Sequence, residues 1–296
     1  MSGALRLEVA RLWHAIDAEL FKITRRRMTY VLLFSVALLV LVSYVLVWWG
    51  VRSGPGHRRN SLQDWLALKT TMSFLRVTPY GLSLERFFAT IACVIFAGSL
   101  TGNEYDWRTV GLFTAKGVRR WHFIAAKALV SVVFTAVVVL TGYVVALAAS
   151  AWFSHLYDLP YGNLDLARVG TAIAGLGRTV VVVAPFAVVA LLAGTLLRSA
   201  GQAVGATLGV YFFEGIFTAI LDRTTGWTSH IPEALLNFNG DSIMRANGTF
   251  SSEGAGPFIF GSGNAPVWRA LLILLLWVSG LLIFALWTFQ HRDIQE

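Results

Sequence analysis

Six stretches of this chain are too long and too apolar to belong to a protein folded in water. They run near Tyr30–Val51, Arg86–Gly102, Phe123–Ala151, Val169–Leu197, Ala203–Leu221 and Val267–Phe289. Crossing a bilayer core takes about 20 predominantly apolar residues, and a helix of that length pairs its own backbone groups where no water can. Charged residues make up only 14% of the chain, against about 25% in a soluble domain. The expected fold class is therefore an all-α integral membrane protein with six transmembrane helices.

The second stretch is short, and its helix is expected to begin nearer Tyr80. The fourth is long for one straight crossing and contains Pro185, whose missing N–H frees a carbonyl and favours a kink. Only Arg198 to Gln202 separate the fourth stretch from the fifth, which predicts a tight helical hairpin. The N-terminal segment is not expected to be a signal peptide, because a long mixed sequence precedes a long apolar run. Cys93 is the single cysteine, so no intrachain disulfide can form.

Two domains follow: a polar segment over 1–29, and a six-helix domain over 30–296 with larger loops at 103–122 and 222–266. Within the first, Leu5, Val9, Leu12, Trp13, Ile16, Leu20 and Ile23 fall on one arc at about 100° per residue. Arg6, Glu8, Arg11, His14, Asp17, Glu19 and Lys22 lie outside that arc. The segment reads as an amphipathic helix lying in the membrane interface.

Basic residues divide almost evenly between the two sides, but Arg25, Arg26 and Arg27 abut the first span and the first helix usually sets orientation. Both termini and loop 103–122 are then expected in the cytoplasm, and loop 222–266 outside. The basic first external loop, with Arg52, Arg58, Arg59, Lys69 and Arg76, meets anionic headgroups, meets an anionic substrate, or is a solvated loop; the last is the simplest reading. In loop 222–266 the stretches Ile231–Phe238 and Pro257–Phe260 are too short to span and read as interfacial or partly re-entrant. Asn247-Gly248-Thr249 fits a glycosylation acceptor, which has no use in a bacterial protein. The preference for Arg over Lys, with abundant Ala, Val and Gly, points to a bacterial, high-GC source and a location in the inner (plasma) membrane.

Several chemistries lack their residues. There is no Gly-x4-Gly-Lys-Ser/Thr loop for ATP, no His-Glu-x-x-His and no Gly-x-Ser-x-Gly. His14, His57, His122, His155, His230 and His291 all fall in loops or at span ends, so no pair is placed to hold a haem within a span. The net charge of +8 resides in a membrane protein with no polar domain for nucleic acid. No catalytic residue, metal or cofactor is expected, and what remains is a scaffold that moves something with energy supplied from elsewhere.

The order of elements resembles the type-2 ABC exporter (ABC-2 type) permeases. An amphipathic helix ends in arginines, and a short second span runs into Glu104-Tyr105-x-Trp107-x-Thr109. Arg119, Arg120 and Lys127 then lead into the third span. The likeness covers the whole chain in architecture. The sequence departs from the family pattern at Arg108, where Gly often precedes the Thr, and at Gly117-Val118, where Pro is common. The resemblance implies that residues 1–29 hold the elbow helix. It implies that Glu104, Trp107, Arg108, Thr109, Arg119 and Arg120 belong to a coupling helix that docks on an ABC ATPase subunit. It further implies two ATPase copies and a second permease copy, identical or related, with the substrate path between the permeases.

Two charges stand inside the spans. Glu214, eight residues before Asp222, is about 12 Å inside the fifth. It either lines the path or bonds to a neighbouring span through Ser99, Thr101 or Arg178. Arg178 either shares that role or sits at the outer interface. The competing readings are a membrane-integral enzyme or assembly factor of envelope biogenesis, and a secondary transporter; the latter normally has more spans and broken helices in matching halves.

Overall fold

A computed structural model describes residues 3–54, 62–107, 120–162, 165–221, 224, 226–248 and 263–291, and among them every regular element is helical. In chain order these are α1 (Gly3–Arg25), α2 (Arg27–Arg52), α3 (Leu62–Thr71), α4 (Val77–Asp106), α5 (Arg120–Leu156), α6 (Leu166–Leu197), α7 (Ala200–Leu221), α8 (Leu236–Arg245) and α9 (Val267–His291). Short 3-10 helices at Phe74–Arg76 and Trp227–Ala234 precede α4 and α8. Six helices are long and apolar enough to cross a membrane, and each coincides with one expected span. The protein is a multi-pass, all-α membrane protein.

Helix α4 starts at Val77, nine residues before the apolar stretch from Arg86 and three before the expected start near Tyr80. It is the central helix, with most of its length buried, whereas α2 and α9 bury about a fifth of theirs or less and form the perimeter. On α2 the buried stripe is Leu32, Val36, Val40 and Tyr44, one residue per turn. Helix α6 runs unbroken through Pro185.

Consecutive transmembrane helices run antiparallel. The starts of α2, α5 and α7 and the ends of α4, α6 and α9 therefore share one end, the near end, where α1 also lies. Helices α3 and α8 and the two 3-10 helices belong to the far end.

At the near end, Arg26 alone interrupts the path from α1 into α2, with extended backbone angles. Thr29 Oγ1 donates to the Ile23 carbonyl at 2.9 Å and the Tyr30 hydroxyl to that of Thr24 at 2.9 Å, fixing the bend. The expected hairpin between the fourth and fifth spans is tighter than five residues: α6 ends at Leu197, Arg198 turns the chain in the left-handed region at φ 56°, and α7 begins at Ala200. Gly102 of α4 permits this turn, because a Cβ there would overlap the Ala200 backbone. The Asp106 carboxylate accepts from the Ala200 N–H at 3.2 Å, so the last residue of α4 caps the first turn of α7.

Candidate functional site

Among the described residues, the buried charged side chains that form ion pairs gather in two places, one at each end. Since burying a charge is costly unless it is paired, such clusters mark what the fold must hold in place.

The near-end cluster joins three elements. Lys127, in the first turns of α5, is 0% exposed, and Glu104, near the end of α4, is 2% exposed. Their charged atoms lie 3.0 Å apart. Glu19 of α1, also buried, lies 3.5 Å from Lys127. Lys22 closes the ring, 2.7 Å from Glu19 and 3.1 Å from Glu104. Lys127 further donates to the Leu100 carbonyl at 2.9 Å. Two lysines face two carboxylates, so the group is neutral as a unit. Burial alone would raise the Glu19 carboxyl, but Lys127 and Lys22 hold it below its ordinary value. Burial alone would lower Lys22, but Glu19 and Glu104 raise it above its own. One turn along α5, His122 lies 3.2 Å from the Glu8 carboxylate.

This cluster corrects two expectations. Glu19 and Lys22, expected on the polar face of the amphipathic helix, point into the protein, while Trp13, expected on its apolar face, is exposed along with Phe21. The reason is tertiary: the buried Lys127 supplies a partner that no helical wheel contains. Glu104, expected to touch a partner protein, is enclosed and bonded within the chain. Trp107 remains 61% exposed. Its ring is capped by the Arg26 guanidinium, 5.6 Å from the ring centroid. Arg108, Thr109 and Arg119 lie outside the described residues, and of Arg120 only the backbone at the start of α5 is described.

The far-end cluster is built around α8. Leu236 to Met244 are all buried, although the segment includes Asn237, Asn239, Asp241 and Ser242. A polar helix in that position must be supplied with partners, and three transmembrane helices supply them. Glu214 of α7 accepts the Leu236 N–H and, at 3.3 Å, the Asn237 side-chain amide, placing a carboxylate at the helix N-terminus. Arg86 of α4 pairs with Asp241 in the middle of the helix and donates to the Asn237 carbonyl at 3.3 Å. Arg178 of α6 donates to the Ala246 carbonyl at 3.0 Å and to Asn247 Oδ1 at 2.9 Å, a cation at the helix C-terminus. Gly240 leaves room for Arg86, whose guanidinium a Cβ would crowd at 2.8 Å. At 1.5 Å per residue, Arg86 and Glu214 lie about 13 and 10 Å inside their helices, so α8 is drawn well into the bundle.

Glu214 and Arg178 thus act on one element, and neither of the direct partners expected for Glu214 in α4, Ser99 and Thr101, nor Arg178 itself, bonds to its carboxylate. Its ligands are the α8 backbone and Asn237. Ile231–Phe238, expected to be interfacial or re-entrant, forms the end of a 3-10 helix and the buried start of α8; Pro257–Phe260 lies outside the described residues. Asn247 spends its side chain on Arg178 and Met244.

Four residues escaped the sequence reading: Glu85, Arg86 as a buried cation, Asp241, and Lys127 as a buried one. Glu85 is 0% exposed, and neither carboxylate oxygen has a hydrogen-bond partner among the described residues. Its carboxyl lies against Gly142 of α5, where any Cβ would overlap it. The adjacent Glu85-Arg86 pair was itself a signal. It is what made the second span look short.

These features define a class: a six-helix membrane protein with an amphipathic helix ionically locked to the near end, and a short polar helix held within the far end by charges from three transmembrane helices. The chain belongs to the family described as "Protein of unknown function (DUF2705)", which matches residues 68–295. That match includes every residue of the far-end cluster and both Glu104 and Lys127, while Glu19 and Lys22 precede it. No curated protein matches the chain.

Proposed function

We propose that this chain is the membrane-spanning permease subunit of an ABC exporter, working with an ABC ATPase on a separate polypeptide. What supports the reading is the near-end lock. Loop 108–119 leaves α4 just past Glu104 and enters α5 just before Lys127, and these two residues are ion-paired to each other and to α1. A push on that loop is therefore carried to two transmembrane helices and the amphipathic helix through buried ion pairs, which give little without breaking. The chain contributes no ATP-binding loop, so the energy enters from a partner. Trp107, exposed and held by Arg26, is the described side chain best placed to meet it.

In this reading two ATPases and two permeases assemble in a bacterial plasma membrane, with both termini and loop 108–119 in the cytoplasm. Purifying the chain from its native membranes tests the proposal. A chain bearing a Gly-x4-Gly-Lys-Ser/Thr loop should copurify with ATPase activity, and Trp107→Ala with Arg108→Ala should abolish the association or uncouple hydrolysis from transport. Recovery of the intact protein without any such chain would overturn it, as would a terminal reporter reading outside the cytoplasm for the orientation.

A further inference from the structure

We propose that the far end of the protein binds an anionic membrane lipid, in a groove between the start of α4, the second half of α5 and the start of α6. The groove has a volume of about 760 Å3. Leu140, Val144 and Leu147 of α5 and Ile173 of α6 form its walls, and Arg76 and Arg168 are its charged residues. Leu140 and Leu147 are seven residues apart, so the apolar wall runs about 10 Å along α5. Leu140, Val144 and Ile173 are exposed, so the wall faces outward, where bilayer chains lie, rather than into the bundle.

The charged part has one sign. Among the described residues no carboxylate lines the groove. Arg76 is exposed at the end of its 3-10 helix; its backbone N–H donates to the Ser73 carbonyl at 2.9 Å, while its guanidinium has no ion pair or hydrogen bond among the described residues. Arg168 donates Nη1 to the Tyr161 carbonyl at 2.9 Å. Gly162 lies against both Leu75 and the Arg168 guanidinium, bringing the neighbourhood of one arginine to the other. The nearest carboxylate in sequence, Asp165, spends an oxygen on the Arg168 backbone N–H at 2.9 Å as the N-cap of α6.

Two cations with no anion beside them among the described residues, above an apolar strip open to the side, complement a phosphate carrying an acyl chain. A soluble anion would leave the strip uncovered. A zwitterionic lipid would bring its own cation against the arginines. The proposal stands whether or not the chain is a transport subunit, and it gives Arg76, one of the basic residues before α4, a ligand.

The test is native mass spectrometry of the full chain in detergent, titrated with phosphatidylglycerol, with phosphatidylcholine of the same acyl chains, and with glycerol 3-phosphate. Phosphatidylglycerol should bind at one site in preference to phosphatidylcholine, and glycerol 3-phosphate should not displace it. At about 1 kcal/mol per cation, Arg76→Gln or Arg168→Gln should each weaken phosphatidylglycerol roughly fivefold and the double variant roughly thirtyfold, with phosphatidylcholine unchanged. Val144→Trp with Ile173→Trp, which fills the groove and keeps both arginines, should also displace the lipid. An unchanged thermal midpoint in these surface variants separates lost binding from lost folding. Equal binding of the two lipids, full phosphatidylglycerol binding by the double arginine variant, or displacement by glycerol 3-phosphate would each overturn the assignment.

Discussion

Replacing Lys127 with Met keeps the length and apolar bulk of the side chain and removes its charge. In the native cluster two lysines oppose two carboxylates. Without Lys127, Lys22 alone faces Glu19 and Glu104, both of them buried. Removing one partner of a buried ion pair costs about 3–5 kcal/mol, because the stranded charge regains neither water nor its partner. Glu104→Gln leaves the opposite imbalance, two lysines around Glu19, and should be destabilising for the same reason. The two changes together restore neutrality, since Glu19 and Lys22 remain 2.7 Å apart. The double variant should then recover to within about 1–2 kcal/mol of wild type, a coupling of about 4 kcal/mol or more between the sites. Thermal unfolding in detergent measures the cycle, and a spin label at Asp17→Cys, in a Cys93→Ser background, reports whether α1 has come away from α5. Strictly additive effects of the two single variants would refute the shared lock, and so would a Lys127→Met protein as stable as wild type.

At the far end, Arg86→Leu should destabilise the fold by about 3–5 kcal/mol by stranding Asp241, and Arg86→Lys should rescue it only in part, because one ammonium cannot serve both Asp241 and Asn237; full rescue by Lys in thermal unfolding would contradict this. Glu214→Gln should not be silent: its amide would face the Asn237 amide, which already donates to the Tyr211 carbonyl at 3.1 Å, at a cost of about 1–3 kcal/mol. Hydrogen exchange at Leu236 and Asn237 should rise in that variant, and wild-type protection would count against the cap. Gly142→Ala should cost about 1–3 kcal/mol through overlap with Glu85 and much less in a Glu85→Ala background; equal costs in both would remove Glu85 as the cause. The pH dependence of the near-end lock follows from its two shifted groups. Glu19 titrates below its ordinary 4.5 in the folded protein, so its stabilisation is full above that value and is lost as pH falls through the depressed one. Lys22 titrates above its ordinary 10.5, so its stabilisation is full below that value and is lost as pH rises past the raised one. The spin label on α1, in a His122→Gln background that silences the Glu8 contact, should show constant mobility from about pH 5 to 10. A transition near neutral pH there would refute the assignment.

The sequence by itself determined the class of protein and the six crossings, because the requirement for some twenty apolar residues in hydrocarbon is met or not met locally. It also located the hairpin at Arg198 and the anomaly at Glu214, each a departure from a local pattern. It put the start of α4 near Tyr80, three residues from Val77, but it could not account for the two charges that follow. Glu85 and Arg86 are polar when read along the chain, and a hydropathy argument ends the span at them. Whether such a charge ends a helix or sits inside one depends on what lies opposite it. Gly142 makes space for Glu85, and Asp241, 155 positions away from Arg86, makes burial of that cation possible. Glu19 turned inward because Lys127 waits on another helix. Helical periodicity sorts residues by their own polarity, whereas the cost of burying a charge is set by its neighbours in space. Only the tertiary structure could therefore decide which charges of this protein face water and which hold its helices together.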